Sequence, residues 1–113
     1  MTINQYLGMF NELMEGTKIN KIRPRIKCAD GYTVSVQAGL GMYSFPRRFS
    51  TYFTHVELGY PSAIDEELLP YAENSDHPTN SVYGMVPVEL VDFIINKHGG
   101  YAGSDFSNAK GWE

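Results

Sequence analysis

The chain is short of the residues from which most catalytic and metal sites are built: it has one cysteine and three histidines in 113 residues. A lone Cys28 can neither close an internal disulfide nor supply a zinc cluster. It reads as a small buried apolar side chain rather than a reactive thiol. His55, His77 and His98 stand far apart, and no two have the spacing of paired ligands on a helix, so no metal centre is expected. No serine sits in a nucleophile-elbow context, and Gly39-Leu40-Gly41 lacks the remainder of a dinucleotide or phosphate-loop fingerprint. Asp65, Glu66 and Glu67 form the one acidic run, and acids in the first turn of a helix are ordinary stabilisers there. The sequence therefore assigns no catalytic residue and no cofactor, and leans away from an enzyme. It also lacks an apolar run of membrane-spanning length and a basic-then-apolar leader, which points to a soluble cytoplasmic protein with no membrane partner.

What is present suits one folded domain. Hydrophobic residues make up 42% of the chain and aromatics 13%, too apolar for a disordered segment and enough for a modest single core. The net charge of −4 hides a segregation of sign. Lys18, Lys21, Arg23, Arg25, Lys27, Arg47 and Arg48 are opposed only by Asp30. Between Glu57 and Asp105, nine acids are opposed only by Lys97. Such halves either present two electrostatic faces to partners or neutralise one another in the fold.

Periodicity supplies the elements. Ile3, Tyr6, Leu7, Phe10, Leu13 and Met14 recur at helical spacing, which predicts an amphipathic helix over 3–15, capped by Thr2 and ended by Gly16. From 21 to 28 apolar and cationic residues alternate strictly, and 32–38 alternate Tyr32, Val34, Val36 and Ala38 against Thr33, Ser35 and Gln37. A two-residue loop would put cations and core residues on one face. A three-residue loop, Ala29-Asp30-Gly31, instead pairs Cys28 with Tyr32, Ile26 with Val34 and Pro24 with Val36, and leaves Gly31 at the left-handed position. Pro24 cannot donate to a ladder, which predicts the first strand at a sheet edge. Further strands are expected at 52–58, with Tyr52, Thr54, Val56 and Leu58 sharing a face, and at 82–86. Ser62 is expected to cap a short helix ended by Pro70, and 73–81 reads as a loop. A closing helix over 87–98 has Val88, Val91, Ile94 and Ile95 on one side, Gly99-Gly100 as its stop, and His98 near its dipole. The expected fold is α+β, with a small antiparallel sheet (hairpin 21–38 plus strands near 52–58 and 82–86) packed against an N-terminal and a C-terminal helix. Residues 1–100 form the domain; 101–113 read as a polar tail, frayed or docked by Tyr101, Phe106 and Trp112.

One arrangement points outward. Arg23, Arg25 and Lys27 would project side by side from a strand face, and Tyr43, Phe45, Arg47, Arg48 and Tyr52 follow in a dense aromatic and basic segment. These eight are the candidate partner-binding residues, suited to an acidic protein surface or to nucleic acid. The alternative is a solvated edge strand whose cations discourage aggregation. A clustering of His55 with Glu57 and Asp30 would point instead to an enzyme.

An ordered series of short motifs runs from Arg23-Pro24-Arg25-Ile26-Lys27-Cys28-Ala29-Asp30-Gly31-Tyr32 through Ser35-Val36-Gln37-Ala38, Pro46-Arg47, Val56-Glu57-Leu58-Gly59-Tyr60-Pro61-Ser62 and Val82-Tyr83-Gly84-Met85-Val86-Pro87 to His98-Gly99-Gly100. Over residues 22–100 it resembles a family of small uncharacterised proteins encoded by tailed bacteriophages and prophages. The resemblance carries no activity, fold or site residue. It implies an accessory protein in the host cytoplasm that binds and inhibits or modulates a bacterial host or defence protein, of the anti-CRISPR or other anti-defence type, with nucleic-acid binding as the alternative.

Overall fold

The computed structural model describes residues 1–14 and 22–106. Helix α1 is Ile3–Gly8, and its start is set as the sequence predicts. The Gln5 amide donates to the Thr2 hydroxyl, and the Thr2 amide donates back to the Gln5 side chain at 2.7 Å, a reciprocal capping box. The expected single helix is interrupted, however. At its end the bonds tighten to three-residue spacing, Met9 to Tyr6 and Phe10 to Leu7, and a second short helix, α2, covers Asn11–Met14. Tertiary bonds hold α1 in place: the Ile3 amide donates to Asp92, and the Asn4 side chain exchanges two hydrogen bonds with the backbone of Phe53. The expected stop at Gly16 lies outside the described residues.

Five antiparallel strands follow: β1 (Arg25–Cys28), β2 (Thr33–Gln37), β3 (His55–Gly59), β4 (Val82–Pro87) and β5 (Tyr101–Asp105), in the spatial order β4-β3-β2-β1-β5. The fold is α+β. The hairpin register is the expected one: Ile26 pairs with Val34 and Lys27 with Thr33, while Gly31 closes the three-residue loop at φ 94°. β1 is nevertheless an inner strand, because β5 pairs along its other side from Arg25–Asp105 to Cys28–Tyr101. Pro24 does not prevent this, since the ladder begins one residue after it. Residues 101–105 thus belong to the sheet rather than to a tail, and 107–113, with Trp112, lie outside the described residues.

Two further boundaries shift. β3 begins three residues later than expected, so Phe53 rather than Tyr52 enters the core. Ser62 opens no helix. Its amide and hydroxyl bond the backbone of Thr33, the first residue of β2, continuing contact with that strand past the end of β3, and a 3₁₀ turn forms instead at Glu66–Tyr71 with Pro70 inside it. The polar 73–81 segment also contains a short 3₁₀ turn, Pro78–Asn80. Helix α3, Val88–Lys97, ends as predicted: Gly99 and Gly100 take positive φ, and the Gly100 amide returns to the Ile95 carbonyl. Ile26, Val34, Val36, Val56, Leu58 and Val86 of the sheet join Ile3, Tyr6 and Leu7 of α1 and Val91, Ile94 and Ile95 of α3 in one buried cluster.

Candidate functional site

The segment between β2 and β3 is a loop whose side chains alternate in and out. Met42 and Ser44 are buried, whereas Tyr43 and Phe45 are 53% and 59% exposed. Backbone pairing explains the alternation. Phe45 bridges His55, donating to its carbonyl and accepting from the Thr54 amide, each at 3.0 Å. The Tyr43 carbonyl accepts the Met85 amide, and its own amide donates to Glu57. Gly84 allows this approach, for a Cβ there would stand 3.3 Å from that of Tyr43. From inside, the buried Ser44 hydroxyl accepts the Gly39 amide and donates to the Pro46 carbonyl. Arg47 adds a further tie: its Nε donates to the Met42 carbonyl and its guanidinium lies 5.0 Å from the Tyr43 ring centroid. Arg48 is exposed and forms no ion pair among the described residues. Tyr52, at 60%, and Met85, at 39%, are also exposed. The outcome is an aromatic and basic surface on a pinned backbone.

The three strand cations do not join it. Arg23 is buried; it precedes β1 and donates from Nε to the Leu7 carbonyl and from Nη1 to that of Ala38. It thereby gives the Leu7 carbonyl, which already accepts the Phe10 amide, a further donor, and it supplies one to the Ala38 carbonyl just past β2. Burial pushes its pKa down to about 10. Arg25 is largely covered, its Nη2 donating to the Thr33 hydroxyl and the Tyr60 carbonyl. Only Lys27 projects into solvent. A row of three free cations is therefore corrected to one exposed lysine and two arginines serving the backbone.

Sequence reasoning missed a cluster at the other end of the sheet. Imidazole His98 follows α3 and lies flat on Tyr32, with ring centroids 3.7 Å apart and planes 4° from parallel. Its Nδ1 is 2.7 Å from Asp30, in the hairpin loop, and its Nε2 is 3.0 Å from Asp65, just before the 3₁₀ turn. Lys97 bridges Asp65 at 2.9 Å and Glu67 at 3.0 Å. Asp65 is almost fully buried. Burial alone would raise its pKa, but the bonds from Lys97 and His98 outweigh that and hold it below the ordinary carboxylate value. Burial likewise works against a charged His98, yet its two carboxylate partners raise its pKa. The Tyr32 hydroxyl is buried near Asp65 without a well-formed hydrogen bond; burial first, then that negative charge, push its pKa up.

This cluster joins the hairpin loop, the 3₁₀ turn and the end of α3 as a clamp. Both ring nitrogens are engaged by carboxylates, which only accept, and this favours the doubly protonated ring over one with a free lone pair. The alternative grouping of His55, Glu57 and Asp30 does not form: His55 bonds Thr54, Glu57 accepts from Tyr43, and Asp30 belongs to His98. Among the described residues no three His, Cys, Asp or Glu side chains are arranged to hold a metal ion. Cys28 is buried as expected, its thiol pushed up to about 11 by burial and then by Asp30 and Asp65. No local signal marks Asp65 or His98, because the clamp joins positions 33 and 68 residues apart.

No family model matches this chain, and no curated protein or solved structure is similar to it. Among the described residues no helix is long and apolar enough to cross a membrane.

Proposed function

We propose that this chain is a binding protein, a phage-type accessory factor that engages a bacterial host or defence protein in the host cytoplasm through Tyr43, Phe45, Arg47, Arg48 and Tyr52, and so inhibits or modulates it. The observation that carries the reading is the exposure of three aromatic rings, 53%, 59% and 60%, on a loop whose backbone is tied to β3 and β4. Exposed aromatic side chains next to arginine are the composition of interface hot spots. A pinned loop also loses little entropy on binding. The partner's matching surface has an apolar recess for the rings and acidic groups for Arg47 and Arg48. The setting in a phage rests on the motif series over residues 22–100, and the leaning away from catalysis rests on the engaged nitrogens of His98.

Affinity capture from a bacterial lysate, with and without nuclease, tests this. Wild-type protein is run beside Phe45→Ala/Arg48→Glu and beside Phe93→Ala, which removes an exposed ring from α3. One abundant nuclease-resistant partner, retained by Phe93→Ala and lost by the loop variant at unchanged Tm, is expected. Capture that disappears with nuclease and weakens steeply with salt would transfer the surface to nucleic acid. Equal capture by all three proteins would remove the loop from the interface.

A further inference from the structure

Two segments meet on β4 from different parts of the chain. After the first 3₁₀ turn, Ala72 bridges Tyr83 and the Glu73 amide donates to the Val82 carbonyl at 2.9 Å. From the β2–β3 loop, the Tyr43 carbonyl accepts the Met85 amide. Between them lies an open recess of about 340 Å³ lined by Tyr43, Glu73, Val82 and Gly84. Its walls are therefore fixed by backbone bonds before anything enters. Gly84 has no side chain to fill the floor, and Val82 is half-buried beside it. A second recess shares Glu73 and Val82 and continues past Asn74 to Tyr60, which leaves room for a chain to run on. Charge here is mainly negative. Glu73 is exposed, and Glu57, on β3, accepts the Tyr43 amide at 3.1 Å. Neither carboxylate forms an ion pair among the described residues. Arg47 is the cation that those residues bring to the Tyr43 ring, 5.0 Å from its centroid, and its Nε is given to the Met42 carbonyl. Tyr43 thus stands at a boundary, with Arg47 and Arg48 following it in the loop and an acidic recess beside it.

We propose that the protein partner engaged by the loop surface inserts an arginine side chain into this recess, a reading that rests on that surface being an interface. The guanidinium meets Glu73, which carries the recognition of charge. The aliphatic stem lies on Val82 and over Gly84, where no side chain intervenes, and the Tyr43 ring forms a flat wall beside it. A planar guanidinium fits a carboxylate next to an aromatic ring better than a compact, strongly hydrated ammonium does, which selects arginine over lysine. The partner's surface is thereby specified as mixed: acidic opposite Arg47 and Arg48, and basic opposite Glu73. Such a pattern fixes the orientation of docking and rejects a uniformly acidic surface.

Amide NMR titration with Nα-acetylarginine amide at low salt, beside the uncharged citrulline analogue, tests the recess without the partner. The arginine probe is expected to give saturable shifts at the amides of Tyr43, Glu73, Val82 and Gly84, with a Kd on the order of ten millimolar that weakens with salt. The citrulline probe should give none. Glu73→Gln, a change at an exposed side chain, should weaken the arginine probe about threefold or more, and Asp76→Asn, at another exposed acid in the same segment, should bind as wild type. Shifts that do not saturate, that citrulline reproduces, or that survive Glu73→Gln would overturn the proposal. In the lysate capture, Glu73→Arg at unchanged Tm should lose the nuclease-resistant partner. A partner lost by Phe45→Ala/Arg48→Glu yet retained by Glu73→Arg would overturn the arginine anchor and leave the loop surface standing, whereas equal capture by wild type and the loop variant would fail the loop surface itself.

Discussion

Replacing His98 with alanine removes the piece that joins the hairpin loop, the 3₁₀ turn and the end of α3. The cost follows from its contacts. The bond to Asp65 is made to a carboxylate that is almost fully buried, and losing a hydrogen bond to a charged group costs about 1.5–3 kcal/mol. The parallel stack on Tyr32 contributes about 0.5–1.5 kcal/mol. Lys97 still compensates Asp65, which argues against the larger penalty of an orphaned buried charge. His98→Ala should therefore lose about 3 kcal/mol, a fall in Tm of roughly 10–15 °C for a domain of this size. The loss should depend on pH in a defined direction. Because the folded pKa of His98 lies above its ordinary 6.5, its contribution is full below about that pH and fades as pH rises through the folded value. Asp30 and Asp65 both lie below their ordinary 3.8, so their share is present above that pH and disappears as pH falls through their folded values. Urea denaturation of wild type and variant from pH 3 to 9 would show the difference in stability greatest between about pH 4 and 6.5. A difference under about 1 kcal/mol at pH 6, or one that grows as the solution becomes alkaline, would refute the clamp.

Three smaller tests address the scaffold. Arg23→Met leaves the Leu7 and Ala38 carbonyls without their guanidinium donor but also relieves the burial of a charge, so a net loss of about 2 kcal/mol is expected in urea melts; a more stable variant would mean that desolvation dominates. Gly99→Ala should destabilise more than Gly100→Ala. Both have positive φ, but a Cβ at Gly99 would stand 3.0 Å from that of Ala29 while one at Gly100 meets nothing within 4 Å. The left-handed term of about 1–2 kcal/mol should appear in both melts, and equal losses would show that the contact is relieved. Cys28, buried and with its pKa raised to about 11, should react with iodoacetamide at pH 8 only in denaturant; rapid labelling of native protein would contradict its burial.

Local chemistry was legible from the sequence wherever its physical cause lies within a few residues. The Thr2 cap needs only Gln5 three positions on, and the Asp30-Gly31 loop follows from a face-matching argument that allows one register. The end of α3 follows from two glycines that alone take positive φ without penalty. The burial of Cys28 came from the same alternation. The loop surface was partly legible, since Tyr43, Phe45, Arg47, Arg48 and Tyr52 are aromatic and basic by composition, although their presentation depends on the pairing of Phe45 with His55 and of Tyr43 with Met85. The rest was decided by partners distant along the chain. Alternation placed Arg23 and Arg25 opposite the core, yet it could not show that the Leu7, Ala38 and Tyr60 carbonyls would come within their reach. Pro24 argued for an edge, and only the return of β5 made β1 an inner strand. Asp65 and His98 carried ordinary helix-terminus readings because charge next to a helix end is a local signal. The bonds that engage them instead form only once the sheet, the 3₁₀ turn and α3 have folded against one another.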